Sequence, residues 1–240
     1  MLNSSCMHFN NIANKKKTGK RAFTLAEVLI TLGIIGIVAA MTLPALMMDY
    51  KRRATISKLR KAYTVISQAY YSSYNLLGDP SQSVIQSNAK EYFDKFWAPY
   101  LIVRKYCDTY SDCGYTSNRP FTYTKGGSSD YCITLGDTRV PFITRDGITY
   151  IVFTAIRQNG NLNDTRVVIV DINGGKAPNK YGDDVFFFER LTDGSVKPFG
   201  YNLSKESIDA SCSTSGQGFY CAEKLARSGW KFPSDYPLGR

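Results

Sequence analysis

One acidic residue, Glu27, lies inside an apolar run, residues 23–48, that carries no other charge. About 20 helical residues cross the hydrocarbon core of a bilayer, so this run is long enough to span a membrane. A lone carboxylate near the bilayer centre costs about 2 to 4 kcal/mol and normally has a partner. We therefore interpret Glu27 as a paired charge; the alternative is that it lies near the lipid headgroups and stays hydrated.

Histidine-dependent catalysis is excluded for most of the chain. The single histidine, His8, lies in the basic N-terminal residues 1–22. Without them no Ser-His-Asp or Cys-His catalysis and no histidine-ligated zinc is available. The formal charge of +10 also falls to +5, so nucleic acid is not indicated as a partner. We predict that the protein is not an enzyme.

The cysteines predict disulfides rather than a metal site, because their spacings match no zinc pattern. Two close pairs, Cys107 with Cys113 and Cys212 with Cys221, suit local disulfides in an oxidising compartment. Cys6 lies in residues 1–22, so in the rest of the chain Cys132 would be left over, buried and free.

A glycine-rich loop, residues 171–184, carries oxygen ligands of the kind that calcium prefers. They are Asp171, Asn173, Asp183 and Asp184. The spacing is not that of an EF-hand. Calcium binding and a turn with solvated acids are both open on the sequence alone.

The apolar run continues into a second helical segment, residues 49–79, whose apolar side chains recur at spacings of three, four and seven. They are Ile56, Leu59, Tyr63, Ile66, Tyr70 and Leu77. Gly78, Asp79 and Pro80 should end this helix. Pro44 removes one helical hydrogen bond and should kink or locally melt it.

Residues 80–240 are predicted to form a globular α+β head. A short helical pattern lies within 88–106 and another at 220–226. Asp146-Gly147 and Asp193-Gly194 read as hairpin turns. Strand-like runs occupy 131–135, 140–145, 148–156, 166–172, 185–191 and 195–199. We expect an antiparallel sheet packed on the distal half of the long helix.

The segment KRAFTLAEVLITLGIIGIVAAMTLPAL resembles the N-terminus of type IV pilins and of type II secretion pseudopilins. A basic leader ends in the small residue Ala22, where that family usually has Gly. Phe23 follows, Glu27 lies four residues later, and Pro44 interrupts the apolar run. A second stretch, VDINGGKAPNKYGDDVFFF, is similar to the loop before a late strand in pilin-like proteins.

The resemblance implies a filament subunit. A prepilin peptidase would cut the leader, residues 1–22, between Ala22 and Phe23 and methylate the new amine. Residues 23–48 would then be a bilayer anchor and later the filament core. Glu27 would pair with the Phe23 amine of a neighbouring subunit. The implied partners are that peptidase, other pilin subunits, an inner-membrane assembly platform and lipid. The implied location is a single pass through the bacterial inner membrane with the C-terminal domain outside the cytoplasm.

Two other functions are compatible with the sequence. The chain could be a soluble secreted binding domain, because Val38-Ala39-Ala40 resembles a signal-peptide cleavage site. It could also be a membrane-anchored protein that never polymerises and keeps its leader.

Overall fold

The computed structural model describes residues 23–80, 89–129, 138–153 and 166–237. The chain divides into two compact units, Met1–Met48 and Asp49–Arg240. Helix α1, Leu25–Leu77, is 53 residues long and contributes to both units.

Helix α1 ends where the sequence predicts. Gly78 adopts a left-handed backbone with φ of 78°, and its amide donates to the carbonyl of Tyr74. This is a glycine C-cap. The helix starts at Leu25, two residues after the predicted Phe23. It also continues as a helix through Pro44, so of the two predicted effects of Pro44 local melting is wrong, and a kink stays a prediction. Proline removes a single N–H, and the helix retains its other hydrogen bonds around it.

The rest of the described chain forms an α+β fold, which confirms the predicted class. Helix α2 spans Ala89–Phe96, and a 3-10 turn spans Ala98–Tyr100. Two short helices follow the sheet: α3, Lys205–Ser211, and α4, Cys221–Arg227. The strands are β1 (Val103–Tyr106), β2 (Arg139–Thr144), β3 (Thr149–Phe153), β4 (Val167–Asp171), β5 (Val185–Arg190) and β6 (Val196–Pro198).

The six strands lie in sequence order, and each pairs antiparallel with the next. Both predicted hairpin turns are present. Gly147, with φ of 80°, turns between β2 and β3, and Gly194, with φ of 81°, turns between β5 and β6. Positive φ at these positions is the reason that glycine is needed there.

Two elements depart from the sequence prediction. The helical pattern predicted within 88–106 ends earlier than that range, and strand β1 occupies its last four residues. Pro99 prevents α2 from continuing into them. Helix α3 was not predicted; Ser204 caps it by accepting a hydrogen bond from the Ser207 amide. The predicted strand at 131–135, the end of the 148–156 run and Cys132 lie outside the described residues.

The sheet is covered on both faces. Helix α1 contributes Leu59, Ala62, Ile66 and Tyr70 to one cluster, together with α2 and side chains such as Phe188. Of the residues predicted for this face, Leu77 is exposed instead. On the opposite face a second cluster includes Tyr115, Phe121, Tyr181 and Phe187. Because both faces are covered, β3 and β4 are buried at every position and carry successive apolar residues, interrupted only by Thr149 and Asp171 at their ends.

The structure contains both predicted disulfides. Cys107–Cys113 closes a loop after β1 at a sequence separation of 6. Cys212–Cys221 joins the end of α3 to the start of α4 at a separation of 9. Short loops of this kind stabilise a fold by roughly 2 to 3 kcal/mol each.

A fully buried arginine, Arg190 at the end of β5, connects three parts of this unit. Its guanidinium donates to the hydroxyl of Tyr92 on α2 and, at 3.0 Å, to the carbonyl of Phe153 on β3. It also lies 5.5 Å from the ring centroid of Tyr70 on α1 and 5.6 Å from that of Trp97. Cation–π contacts of this kind are strengthened by burial.

We expect Arg190→Ala to lower the free energy of unfolding by about 3 kcal/mol or more, because it leaves a cavity and an unsatisfied buried carbonyl. Chemical denaturation followed by near-ultraviolet circular dichroism measures this. Arg104→Ala, at an exposed site on β1, is the matched control and should change stability by less than about 0.5 kcal/mol. Equal stability of the two variants would contradict the role assigned to Arg190.

Candidate functional site

The first unit presents an apolar helix surface. Over residues 25–48 the large aliphatic and methionine side chains of α1 are exposed. By length and composition α1 is able to cross a membrane, and none of its most apolar 18-residue window is buried. Such a surface requires lipid or other helices around it.

A capping box begins this helix. The Thr24 amide and hydroxyl donate to Glu27 Oε2 at 2.9 and 3.0 Å, and the Glu27 amide donates back to Thr24 Oγ1 at 3.2 Å. This reciprocal pattern satisfies two amides that the first turn of a helix would otherwise leave free. Within the single chain, Thr24 is therefore the partner of the Glu27 carboxylate.

The cap explains why α1 begins at Leu25 rather than at Phe23. With Thr24 as the capping residue, Phe23 lies outside the helix. The Glu27 carboxylate accepts from the Thr24 amide, one residue after Phe23. The sequence analysis missed Thr24. The signal that could have found it is the spacing Thr-x-x-Glu directly before an apolar run. Ala22 lies outside the described residues, and Pro44 lies within the exposed apolar part of α1.

The loop at 171–184 brings three of its four predicted ligand residues together. Asp184 accepts hydrogen bonds from the amides of Asn179 at 2.9 Å and Lys180 at 2.6 Å, and from the Asn173 side chain at 3.1 Å. Asp171 accepts from the Asn173 amide at 3.1 Å. The fourth residue, Asp183, is half-buried; its negative charge raises the pKa of Asp184, and its amide donates to the carbonyl of Lys180 at 3.0 Å.

One of these carboxylates connects the loop to the segment that follows the first disulfide. The Tyr115 hydroxyl donates to Asp171 Oδ2 at 2.7 Å. Burial, followed by the charge of Asp184, raises the pKa of Asp171 well above its usual value. Burial raises the pKa of Asp184 to about 6, although the amides of Lys180 and Asn179 oppose the shift. The loop therefore holds two buried acids that interact with each other.

Among the residues that the structure describes, no three His, Cys, Asp or Glu side chains converge as metal ligands. Oxygen atoms of both aspartates already accept hydrogen bonds from the protein. Asn173 Oδ1 is buried and has no hydrogen-bond partner, so it is an oxygen that a cation could use. Calcium binding by this loop stays a prediction.

We expect a pH-dependent stability difference between the wild type and Asp184→Asn. The folded pKa of Asp184, about 6, lies above its usual 3.8, so its contribution to stability is present below about pH 3.8 and lost as the pH rises to about 6. The variant should therefore gain about 2 kcal/mol relative to the wild type between pH 4 and pH 7. Chemical denaturation across this range measures it, with exposed Asp108→Asn as the control. If the stability difference between the variant and the wild type is constant with pH, or changes in the opposite direction, the loop amides outweigh burial in setting the pKa of Asp184.

The same titration repeated in calcium chloride tests the calcium hypothesis. A bound cation favours ionised carboxylates, so calcium should abolish the loss of stability between pH 4 and pH 7. If the curves of stability against pH are identical with calcium and with a chelator, the loop does not bind calcium and is held by hydrogen bonds alone.

Comparison with known proteins agrees with this division of the chain. A prokaryotic N-terminal methylation motif matches residues 17–43, which include Phe23 and Glu27. A family of unknown function, DUF6613, matches residues 45–239. No curated protein and no solved structure gives a significant match. The methylation motif together with the long apolar N-terminal helix fits a type IV pilin-like protein, and the chain belongs to the family DUF6613.

Proposed function

We propose that the chain is the precursor of a structural subunit of a type IV pilus or of a type II secretion pseudopilus. The observation that carries this proposal is the exposed apolar part of α1, which begins with the capped Glu27 and coincides with the methylation motif. A prepilin peptidase removes the leader after Ala22. The helix then anchors the subunit in the inner membrane and later joins other subunits in the filament core.

Two disulfides support a head that lies outside the cytoplasm, because structural disulfides persist in oxidising compartments. The proposed role is structural and requires no catalysis. The partners are the peptidase, the membrane assembly platform, lipid and other pilin subunits.

The continuity of α1 favours this function over a secreted domain. A signal peptidase cutting after Ala40 would divide a helix that runs without interruption from Leu25 to Leu77. It would also remove the capping box. A membrane-anchored protein that never polymerises would keep both features, and its intact leader would distinguish it.

We expect the mature protein to begin at Phe23 with a methylated amine. Mass spectrometry of the intact protein purified from bacterial membranes measures this mass. A chain that begins at Met41 would identify a secreted domain, and an uncut chain would identify a non-polymerising anchor.

The role of Glu27 in assembly provides a second test of the proposal. In the single chain its carboxylate is held by Thr24, and in a filament the positive amine of a neighbouring Phe23 can replace part of this contact. Because both charges would lie among apolar helices, their attraction is screened little by water. The pair would set the position of an incoming subunit.

We expect Glu27→Gln to reduce incorporation into filaments about tenfold or more, because loss of a close buried charge pair exceeds about 1.4 kcal/mol. Glutamine can still accept hydrogen bonds from Thr24, so cleavage and folding should be unchanged. Asp49→Asn removes a charge from the same helix, where Asp49 pairs with Arg53, and is the control. Incorporation is measured by quantitative immunoblotting of filament fractions from a strain without the native copy. Normal incorporation of E27Q would instead support a hydrated Glu27.

A further inference from the structure

A groove of about 630 Å³ opens on the second unit and belongs to none of the features discussed so far. It lies between α1, the segment entering β1 and the β2–β3 turn. Its α1 wall consists of residues on one helix face, spaced by three and four. The lining used below comprises Lys61, Gln68, Ser72, Ile102, Arg145 and Tyr150.

One exposed aliphatic side chain lies in this groove, and a second lies on the same face of α1 one helical turn beyond it. Among the described residues from Asp49 onward, only Leu76 and Ile102 are aliphatic side chains more than half exposed, at 74% and 72%. Ile102 lines the groove itself. Leu76 lies just beyond the groove lining, four residues after Ser72 and therefore on the same face of α1. Exposed apolar side chains that cluster around a concave surface indicate a binding site.

The end of the groove at the β2–β3 turn is positive. Lys61 Nζ lies 2.8 Å from Asp146 Oδ2, so these two charges compensate each other. The Thr144 hydroxyl also donates to Asp146, at 2.5 Å. Arg145 is exposed, and within the described part of the chain no carboxylate lies within 4 Å of it. One uncompensated cation therefore faces solvent beside the apolar wall.

The groove also contains an unused hydrogen-bond donor. Tyr150 is fully buried, and its hydroxyl has no hydrogen-bond partner in the structure. Burial, followed by the charge of Asp146, raises the pKa of Tyr150, although the nearby Thr144 hydroxyl opposes the shift; the Tyr150 hydroxyl therefore stays neutral and can donate. A buried hydroxyl without a partner is unfavourable, and a carboxylate would be a suitable acceptor.

We propose that this groove binds an acidic peptide segment of a partner protein. An apolar side chain of the peptide packs against Leu76 and Ile102, and its flanking carboxylates pair with Arg145. The positive charge favours an acidic peptide over a neutral or basic one. This site involves only the second unit and does not depend on filament assembly.

The probe is a fluorescein-labelled heptapeptide with a central leucine flanked on each side by three acidic residues. A counterpart carries lysines instead of the acids. Fluorescence anisotropy with the full mature chain in a neutral detergent should show saturable binding of the acidic probe only. Ile102→Ser and Arg145→Glu should each weaken it about tenfold, since each removes one of the two recognised groups. Ser72→Trp, which fills the groove from an exposed position, should weaken it similarly.

Lys231→Glu reverses an exposed charge that does not line the groove and should change the affinity less than twofold. Near-ultraviolet circular dichroism of each variant confirms folding. Equal binding of the basic probe, or unchanged affinity in I102S and R145E, would overturn the proposal. Self-association that is lost in the same variants, without peptide binding, would assign the groove to a second copy of the chain and overturn it as well.

Discussion

The structure depends on one constraint: a single continuous helix, α1, has to satisfy two different surroundings along its length. Over residues 25–48 its apolar side chains find no protein around them, so membrane or other helices have to cover them. From Leu59 to Ser73 the same helix buries one face in the head. The head therefore folds around a helix whose first part is stable only in an apolar environment.

The capping box provides hydrogen-bond partners for amides at the start of α1. A helix that begins in an apolar environment leaves amides that water cannot satisfy. Thr24 and Glu27 satisfy two of them, which gives the carboxylate a structural role within the single chain. A charge that first caps its own helix and then attracts a second subunit would serve both stages of the proposed pathway.

The sequence predicted elements whose signal is local. The apolar run, the Asp-Gly turns and the closely spaced cysteine pairs are patterns within a few residues, and the structure contains them. Helix α3 is short and polar, and its stability comes from packing and from the Ser204 cap rather than from periodicity. Strand β1 has exposed side chains at three of its four positions, so it lacks the alternation that identifies a strand.

The loop acids show a second limit of sequence analysis. The sequence predicted Asp171 and Asp184 as candidate oxygen ligands, but it could not show that loop amides, Asn173 and Tyr115 already donate to them. Those donors come from residues up to 56 positions away, as in the Tyr115–Asp171 pair. Arg190 is similar, because its burial depends on rings that α1 and α2 bring together.

Site-specific photo-crosslinking from the exposed apolar part of α1 tests assembly most directly. A photoreactive amino acid in place of Ile35, introduced in living cells, forms covalent bonds with whatever covers that helix. If the chain is a filament subunit, irradiation should produce a ladder of crosslinked multimers that contain this chain. Adducts with lipid alone, and only monomeric protein, would contradict a subunit that assembles through its N-terminal helix.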